Sequence, residues 1–150
     1  MPMANEREEP LLLERFSVVE RITLRWADND QYGHVNNAHY YFFFDTAVNN
    51  FLQARGAIKP KSGEIVGLVV ASQCQYFRSL AYPGDINVAV GKARIGRTSV
   101  TYRLSIFDDH EPTAAAQGYF THVYVDPDSR KPVILTRTLL EALNELRTID

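Results

Sequence analysis

Polar and apolar residues along this chain change period several times, and each change marks an element. Between residues 17 and 26 the apolar Val18, Ile22, Leu24 and Trp26 fall mostly on one alternating face, the mark of a strand. A loop over residues 27–37 follows. Residues 38–55 then carry Tyr40, Tyr41, Phe42, Phe43, Phe44, Ala47, Val48, Phe51 and Leu52, which surround most of a helix. Asn36 or Asn37 suits its N-cap, and Gly56 suits its C-terminal stop. At ~1.5 Å per residue such a helix would be about 27 Å long. A helix apolar on most sides is normally buried, and a sheet wrapped around it would bury it.

The remainder reads as strands and one more helix. Residues 59–64 form a loop with Pro60 and Gly63, and residues 65–77 form one long, bent strand. Pro83-Gly84 marks a turn within residues 81–85. Strands follow over residues 86–95, 99–107 and 114–125, with turns at Gly96-Arg97, at 108–112 and at 126–131. Residues 138–147 carry Leu139, Leu140, Leu143 and Leu146 at helical spacing. Short turns imply antiparallel pairing. One strand, a buried helix and then about four strands in succession make the class α+β. The polar residues 1–14, apart from Leu11 to Leu13, read as a loose tail with a docking patch.

Bulk numbers narrow the functional classes. The 150 residues are most simply one domain. With 45% hydrophobic and 23% charged residues, the composition is that of an ordinary globular protein. A net charge of −2 gives no reason to expect nucleic acid or an anionic membrane as partner. The single Cys74 rules out an internal disulfide and fits a reducing compartment. No signal-peptide or transit pattern stands at the start and no apolar run reaches membrane-spanning length, so a cytoplasmic protein is expected.

Candidate chemistry concentrates in RWADNDQYGHVNNAHYYFFFD, residues 25–45. Asp30 stands a few residues before a helix start, where unpaired N–H groups and a partial positive charge gather. A carboxylate beside such a helix end has the parts needed to hydrolyse an activated acyl group. Gly33 suits a positive φ or a close backbone approach to substrate. Asp28 reads as a structural acid, forming a turn or bonding to the backbone of residues 33–37. His34 alone reads as a hydrogen-bonded structural residue. Asp45, one to two turns inside the helix, either organises the site or a dimer contact or is a plain surface acid. Glu64 is a further acid with no motif around it. Lys92, Arg94, Arg97 and Arg103 form the densest basic patch. Cys74, mid-strand, reads as core. The four His and one Cys show no zinc spacing, and there is no Ser elbow, phosphate loop or dinucleotide fingerprint.

The pattern Asp-x-Asp-x-x-Gly-His-Val-Asn-Asn-x-x-Tyr, read at Asp28, Asp30, Gly33, His34, Val35, Asn36, Asn37 and Tyr40, resembles the active-site loop of hot-dog-fold thioesterases of the 4-hydroxybenzoyl-CoA thioesterase-like group. The likeness extends from about residue 17 to about residue 125. It implies a hot-dog fold, a curled antiparallel sheet around one long helix, and an acyl-CoA thioesterase working without a cofactor or metal. By this resemblance Asp30 is the catalytic carboxylate, acting as general base or as nucleophile. The backbone N–H of Asn37 polarises the thioester carbonyl. Lys92 and Arg97 hold the CoA phosphates, and Ser99 meets the pantetheine. The rings of the helix, Tyr40 among them, line an acyl or aroyl pocket.

The stretch DQYGHVNN also resembles the DxNxHVNN loop of plant acyl-carrier-protein thioesterases, in which Asp, Asn and His act together. Tyr32 stands here in place of the active Asn, which weakens that reading and the catalytic role of His34 with it. A non-catalytic acyl-CoA-binding protein of the same fold is another alternative; a dehydratase or hydratase of that fold is a third, and the Asp30 loop argues against it because those relatives usually carry a catalytic His with a different flanking motif. The resemblance further implies a homodimer or homotetramer with the site at the seam. Residues 99–107 and 114–125 are the segments expected to need covering.

Overall fold

The structure, a computed structural model, describes residues 6–59 and 65–150, so Glu64 and most of the loop at 59–64 lie outside the described residues. The elements run β1 (Val18–Thr23), α1 (His39–Ala54), β2 (Val66–Tyr76), β3 (Asp85–Ile95), β4 (Ser99–Phe107), β5 (Ala116–Val125) and α2 (Arg137–Leu143). The strands form one antiparallel sheet in the order β1-β3-β4-β5-β2, with α1 against its inner face. This is the α+β, hot-dog-like arrangement expected from the sequence.

Helix α1 is held by a stripe. Tyr40, Phe43, Phe44, Ala47, Val48, Phe51 and Leu52 are buried, at the i, i+3, i+4 spacing of one helical face. They meet Val88 and Val90 of β3, Val100, Tyr102 and Leu104 of β4, and Phe120 and Tyr124 of β5 in one core. The helix is not buried all round, as its composition suggests: Phe42 is 66% exposed and Asp45 is also outside. Gly56, at φ +67°, ends the helix. Its N–H reaches the Gln53 carbonyl and the Ala57 N–H returns to the Leu52 carbonyl, satisfying two helix-end acceptors.

Connectivity departs from a simple meander. β2 does not pair with β3; it crosses to the far edge and pairs with β5, bulging between Val69 and Ala71. The segments expected to be open, 99–107 and 114–125, are the interior strands β4 and β5. The open edges are β1 and β2, with Val69 48% and Val70 60% exposed on β2.

The outer face of the sheet is also covered, by the chain's own two ends. The expected loose tail is, from Glu6 onward, laid against it. Leu12 bridges Thr113, and Leu11 and Phe16 join Ala89, Phe107, Ala114 and Ile149 in a second apolar cluster. Arg103, 1% exposed, pairs there with Glu8 and lies 4.1 Å over the Tyr119 ring. Gln117 accepts from the Leu11 N–H at 2.8 Å and donates to Glu8 at 2.8 Å. The expected docking patch at Leu11 to Leu13 supplies Leu11 and Leu13 to this cluster, whereas no periodic pattern in residues 6–10 marks the Glu8 pairing. At the other end α2 is shorter than expected; Thr136 caps it by accepting from the Leu139 N–H, and Thr148 and Ile149 then run beside Lys92 of β3.

Candidate active site

The loop from Leu24 to Ala38 is fastened before it presents any chemistry. Asp28 is 1% exposed; its carboxylate accepts from the Arg25 N–H at 2.7 Å and from the Arg25 guanidinium at 2.8 Å. Burial alone would raise its pKa, but the Arg25 hydrogen bonds and charge outweigh burial and hold it below the usual carboxylate range. Of the two roles expected for Asp28, its carboxylate takes the turn-forming one, closing the Arg25–Asp28 turn, and does not bond to the backbone of 33–37. Only its carbonyl does so, accepting from the Asn36 N–H at 2.9 Å, because Arg25 satisfies the side chain. Asn29 adds two staples: its side chain accepts from the Tyr82 N–H at 3.1 Å and donates to the Gly33 carbonyl at 3.4 Å. The Val35 N–H reaches the Leu80 carbonyl at 2.8 Å.

Within this frame residues 30–34 close a tight turn. The Asp30 N–H donates to the His34 carbonyl at 2.9 Å, and the Gly33 N–H donates to the Asp30 carbonyl at 3.1 Å. Gly33 adopts φ +83°, a conformation that favours glycine and lets the turn close. One Asp30 oxygen accepts from the Tyr32 N–H at 2.8 Å. The other has no hydrogen-bond partner among the described residues, and the side chain is half-buried.

The helix start is built by Asn36. Its side chain accepts from the Ala38 N–H at 3.0 Å and its carbonyl accepts from the His39 N–H at 2.9 Å. The Asn37 N–H, between them, has no acceptor among the described residues. Asp30, His34, Asn37 and Tyr40 line one open cleft of about 360 Å³, closed opposite by Tyr76, Phe77, Arg78 and Ser79. Four residues singled out in the sequence therefore meet in one place, with Gly33 in the turn beside them.

Sequence reasoning missed the far wall. Tyr76 donates its hydroxyl to the Asn37 carbonyl at 3.0 Å and stands edge-on to the Tyr40 ring at 5.0 Å. Burial, then the neighbouring Cys74, raise the Tyr76 phenol well above its ordinary value, so it remains a donor. Arg78 donates to the Thr113 carbonyl at 2.8 Å and pairs with Asp108 at 2.9 Å, tying the wall to the β4–β5 turn. Nothing local in the sequence marks these residues, because the contacts join segments far apart in the chain. Burial pushes the Cys74 thiol up to about 12, which suits a core residue and not a thiolate nucleophile.

A second, mostly apolar cleft of about 280 Å³ flanks the other side of the helix start, lined by Ala38, Tyr41, Phe42, Asp45, Val69, Ser72 and Phe120. Asp45 belongs here, at the surface, and not with Asp30. The basic residues lie elsewhere again. Tyr76, at the first cleft, pairs with Ala116, whereas Ser99 pairs with Val123. Those β5 positions are about 23 Å apart at ~3.3 Å per residue. The four-residue basic patch does not form: Arg103 is buried against Glu8, and the Lys92 ammonium donates to the Leu143 carbonyl at 2.8 Å, capping α2. Arg94 and Arg97 remain exposed.

Among the described residues no cluster of His, Cys, Asp and Glu gathers to hold a metal, and no helix is long and apolar enough to cross a membrane.

The fold recurs in solved structures. The crystal structure of the protein PA5185 from Pseudomonas aeruginosa is 44% identical, with a TM-score of 0.90, covering 94% of this chain and 98% of that one. That of Slr0204, a 1,4-dihydroxy-2-naphthoyl-CoA thioesterase from Synechocystis, is 15% identical, with a TM-score of 0.77, covering 86% and 96%; at that identity the likeness is one of fold. The uncharacterized protein YsmA of Bacillus subtilis is 22% identical over 132 residues, 88% of each chain. The family description "Thioesterase-like superfamily" matches residues 24–143, which takes in the Asp30 loop, α1 and all the strands but β1. With most of its length matched, the chain belongs to the thioesterase-like superfamily.

Proposed function

We propose that the protein hydrolyses the thioester of an acyl- or aroyl-CoA, releasing the free acid and CoA. The observation that carries this reading is the shared cleft at the start of α1. There Asp30, one carboxylate oxygen of which is unengaged among the described residues, and Asn37, whose N–H has no acceptor among them, line the same space. The thioester carbonyl oxygen takes the Asn37 N–H, where the helix dipole adds to the stabilisation of developing negative charge. Asp30 then either takes a proton from the attacking water or attacks the carbonyl itself. In the first route the water oxygen adds to the carbonyl and the C–S bond breaks; in the second the C–S bond breaks as an acyl–Asp30 anhydride forms, and water then cleaves that anhydride to release the acid and restore Asp30. In both the thiolate leaves as CoA, and no cofactor is needed. His34 and Tyr40 border the reacting group, and the positive φ of Gly33 keeps the Asp30 turn closed.

Arg97 and Ser99 serve the CoA phosphates and the pantetheine in this reading. Because Ser99 pairs about 23 Å along β5 from the Tyr76 side of the cleft at ~3.3 Å per residue, these residues come from a second copy in this reading. The unpaired β2 edge, with Val69, Val70 and nearby Phe42 exposed, supports such a pairing. Asp45, on the surface beside that edge, stands at the seam. A hydrolysis screen over short, long and aromatic acyl-CoAs, read by thiol release, tests the reading. Turnover of at least one class is expected. Binding without turnover of any class contradicts it.

A further inference from the structure

Gln75 of β2 and Gln117 of β5 pair across the sheet, on the outer face that residues 6–16 cover. Both side-chain amides grip the backbone of that segment. Gln75 accepts from the Glu8 N–H at 2.9 Å and donates to the Glu6 carbonyl at 2.6 Å. Gln117 accepts from the Leu11 N–H at 2.8 Å and donates to the Glu9 carbonyl at 3.0 Å. Each amide thus meets the two backbone groups that flank one residue, Arg7 and Pro10 in turn, as a neighbouring strand would. Such bonds fix the path of a segment whatever its side chains.

The two grips act in different places. Gln117, beside Glu8 and Arg103, fastens the segment to the middle of the sheet. Gln75 stands near the end of the edge strand, one residue before Tyr76. Successive strand residues point to opposite faces. Gln75 therefore faces the segment, while Tyr76 faces α1, where its hydroxyl holds the Asn37 carbonyl at 3.0 Å. Arg7 adds a hold on the same stretch. Its guanidinium lies 5.3 Å from the centre of the Phe77 ring and reaches the Tyr76 carbonyl at 3.5 Å. Tyr76 and Phe77 belong to the far wall of the Asp30 cleft. The regular ladder of β2 ends there: the Phe77 and Arg78 N–H groups share the single Ala115 carbonyl, at 2.8 and 3.2 Å. A wall beyond the ladder gains most from a hold supplied by another segment.

We infer that residues 6–11 form a strap that sets the far wall of the cleft, and that Gln75 is the positioning residue through which the strap, by way of Tyr76, steadies the Asn37 N–H. The inference rests on the thioesterase reading above and goes beyond it, giving part of the catalytic geometry to a segment outside the cleft.

Two variants test it without disturbing the Glu8–Arg103 pair. Gln75→Leu removes both bonds to the strap and keeps the bulk of the side chain. A chain shortened to begin at Glu8 removes the Glu6 carbonyl and Arg7. In each, backbone hydrogen exchange should quicken severalfold over Asn36–Tyr41 and Tyr76–Leu80 and stay unchanged in β3 and β4. With an acyl-CoA that the wild type turns over, kcat should fall about three- to tenfold at nearly constant KM, as for a contact felt in the transition state. The two changes combined should cost little more than Gln75→Leu alone, because both break one contact. Unchanged exchange over Asn36–Tyr41 in both variants overturns the inference whatever the activity. Faster exchange there with a wild-type kcat makes the strap a cover for the sheet and overturns the positioning role. Faster exchange there, with no turnover of any acyl-CoA by the wild type, overturns the thioesterase reading and leaves the strap's hold on the Asn37 segment standing. Should Gln75→Leu fail to fold, the shortened chain decides both points by itself.

Discussion

The Tyr76 hydroxyl donates to the Asn37 carbonyl at 3.0 Å, so the last residue of the edge strand β2 is tied to the segment that leads into α1. Anything that shifts β2 therefore shifts the N–H group proposed to hold the thioester oxygen. Tyr76→Phe removes this bond and keeps the ring against Tyr40. A typical net hydrogen bond is worth about 1 kcal/mol. If that energy is felt mainly in the transition state, kcat falls about fivefold with little change in KM. Steady-state kinetics check the split; a rise in KM alone would show that the tie serves substrate binding instead.

Glu8 should matter to stability out of proportion to its place near the chain's start. It is the ionic partner of Arg103, whose side chain is 2% exposed. Glu8→Ala leaves that guanidinium buried without a counter-charge, a loss of about 3 kcal/mol for a pair of this kind. Glu8→Gln, which can still accept a hydrogen bond, should recover part of it. Urea unfolding of the three proteins gives the values, and a change below about 0.5 kcal/mol for Glu8→Ala would be that of an ordinary surface site.

Acid should loosen the loop frame before the core. Asp28 and Asp108 both have folded-state pKa values below the ordinary 3.8, each against a burial effect that would raise them, because Arg25 and Arg78 hold the ionised forms. Asp109 is held down to about 2 by Arg21 and Asn87. A depressed carboxylate pKa adds stability that is fully present above the unfolded value and disappears as pH falls through the folded one. Stability should thus be flat near neutrality and decline from about pH 4 toward pH 2. Asp28→Asn should shrink that decline in chemical-denaturation curves taken across the range. An unchanged pH profile in that variant would remove Asp28 from the account.

Assembly follows from the open β2 edge and from the distance between Asp30 and the Arg97 turn. Val70→Lys, on the exposed edge, should break the pairing, as edge lysines oppose strand addition. Sedimentation should show a dimer or larger for the wild type and a monomer for the variant, with activity lost in parallel. Arg97→Ala should raise KM for acyl-CoA more than it lowers kcat, and should matter less for a pantetheine thioester lacking the nucleotide. A fully active monomer of 17.1 kDa contradicts the shared site.

What the sequence made legible divides by range. The strands at 86–95 and 99–107 and the helix at 38–55 were readable because period-2 and period-3.6 patterns are local, and they fall within a residue or so of β3, β4 and α1. The Asp30 turn was readable because its residue types, Asp, Gly and Asn, each have local backbone preferences. Strand order was not. That β2 pairs with β5 and leaves itself at the edge depends on contacts forty or more residues apart, such as Tyr76 with Ala116. The role of Glu8 and the loss of Lys92 to an α2 carbonyl were hidden for the same reason. The exposure of Phe42 was hidden too, since composition alone does not say which side of an aromatic helix faces the sheet.

Asp30→Asn tests the central claim most directly. It preserves the shape of the side chain and the acceptor for the Tyr32 N–H, while removing the base or nucleophile. With the best acyl-CoA from the screen, kcat should fall roughly 10²–10⁴-fold, the usual contribution of such a group. Far-UV circular dichroism and thermal unfolding should be unchanged. A folded Asp30→Asn protein that hydrolyses acyl-CoA at the wild-type rate would contradict the account.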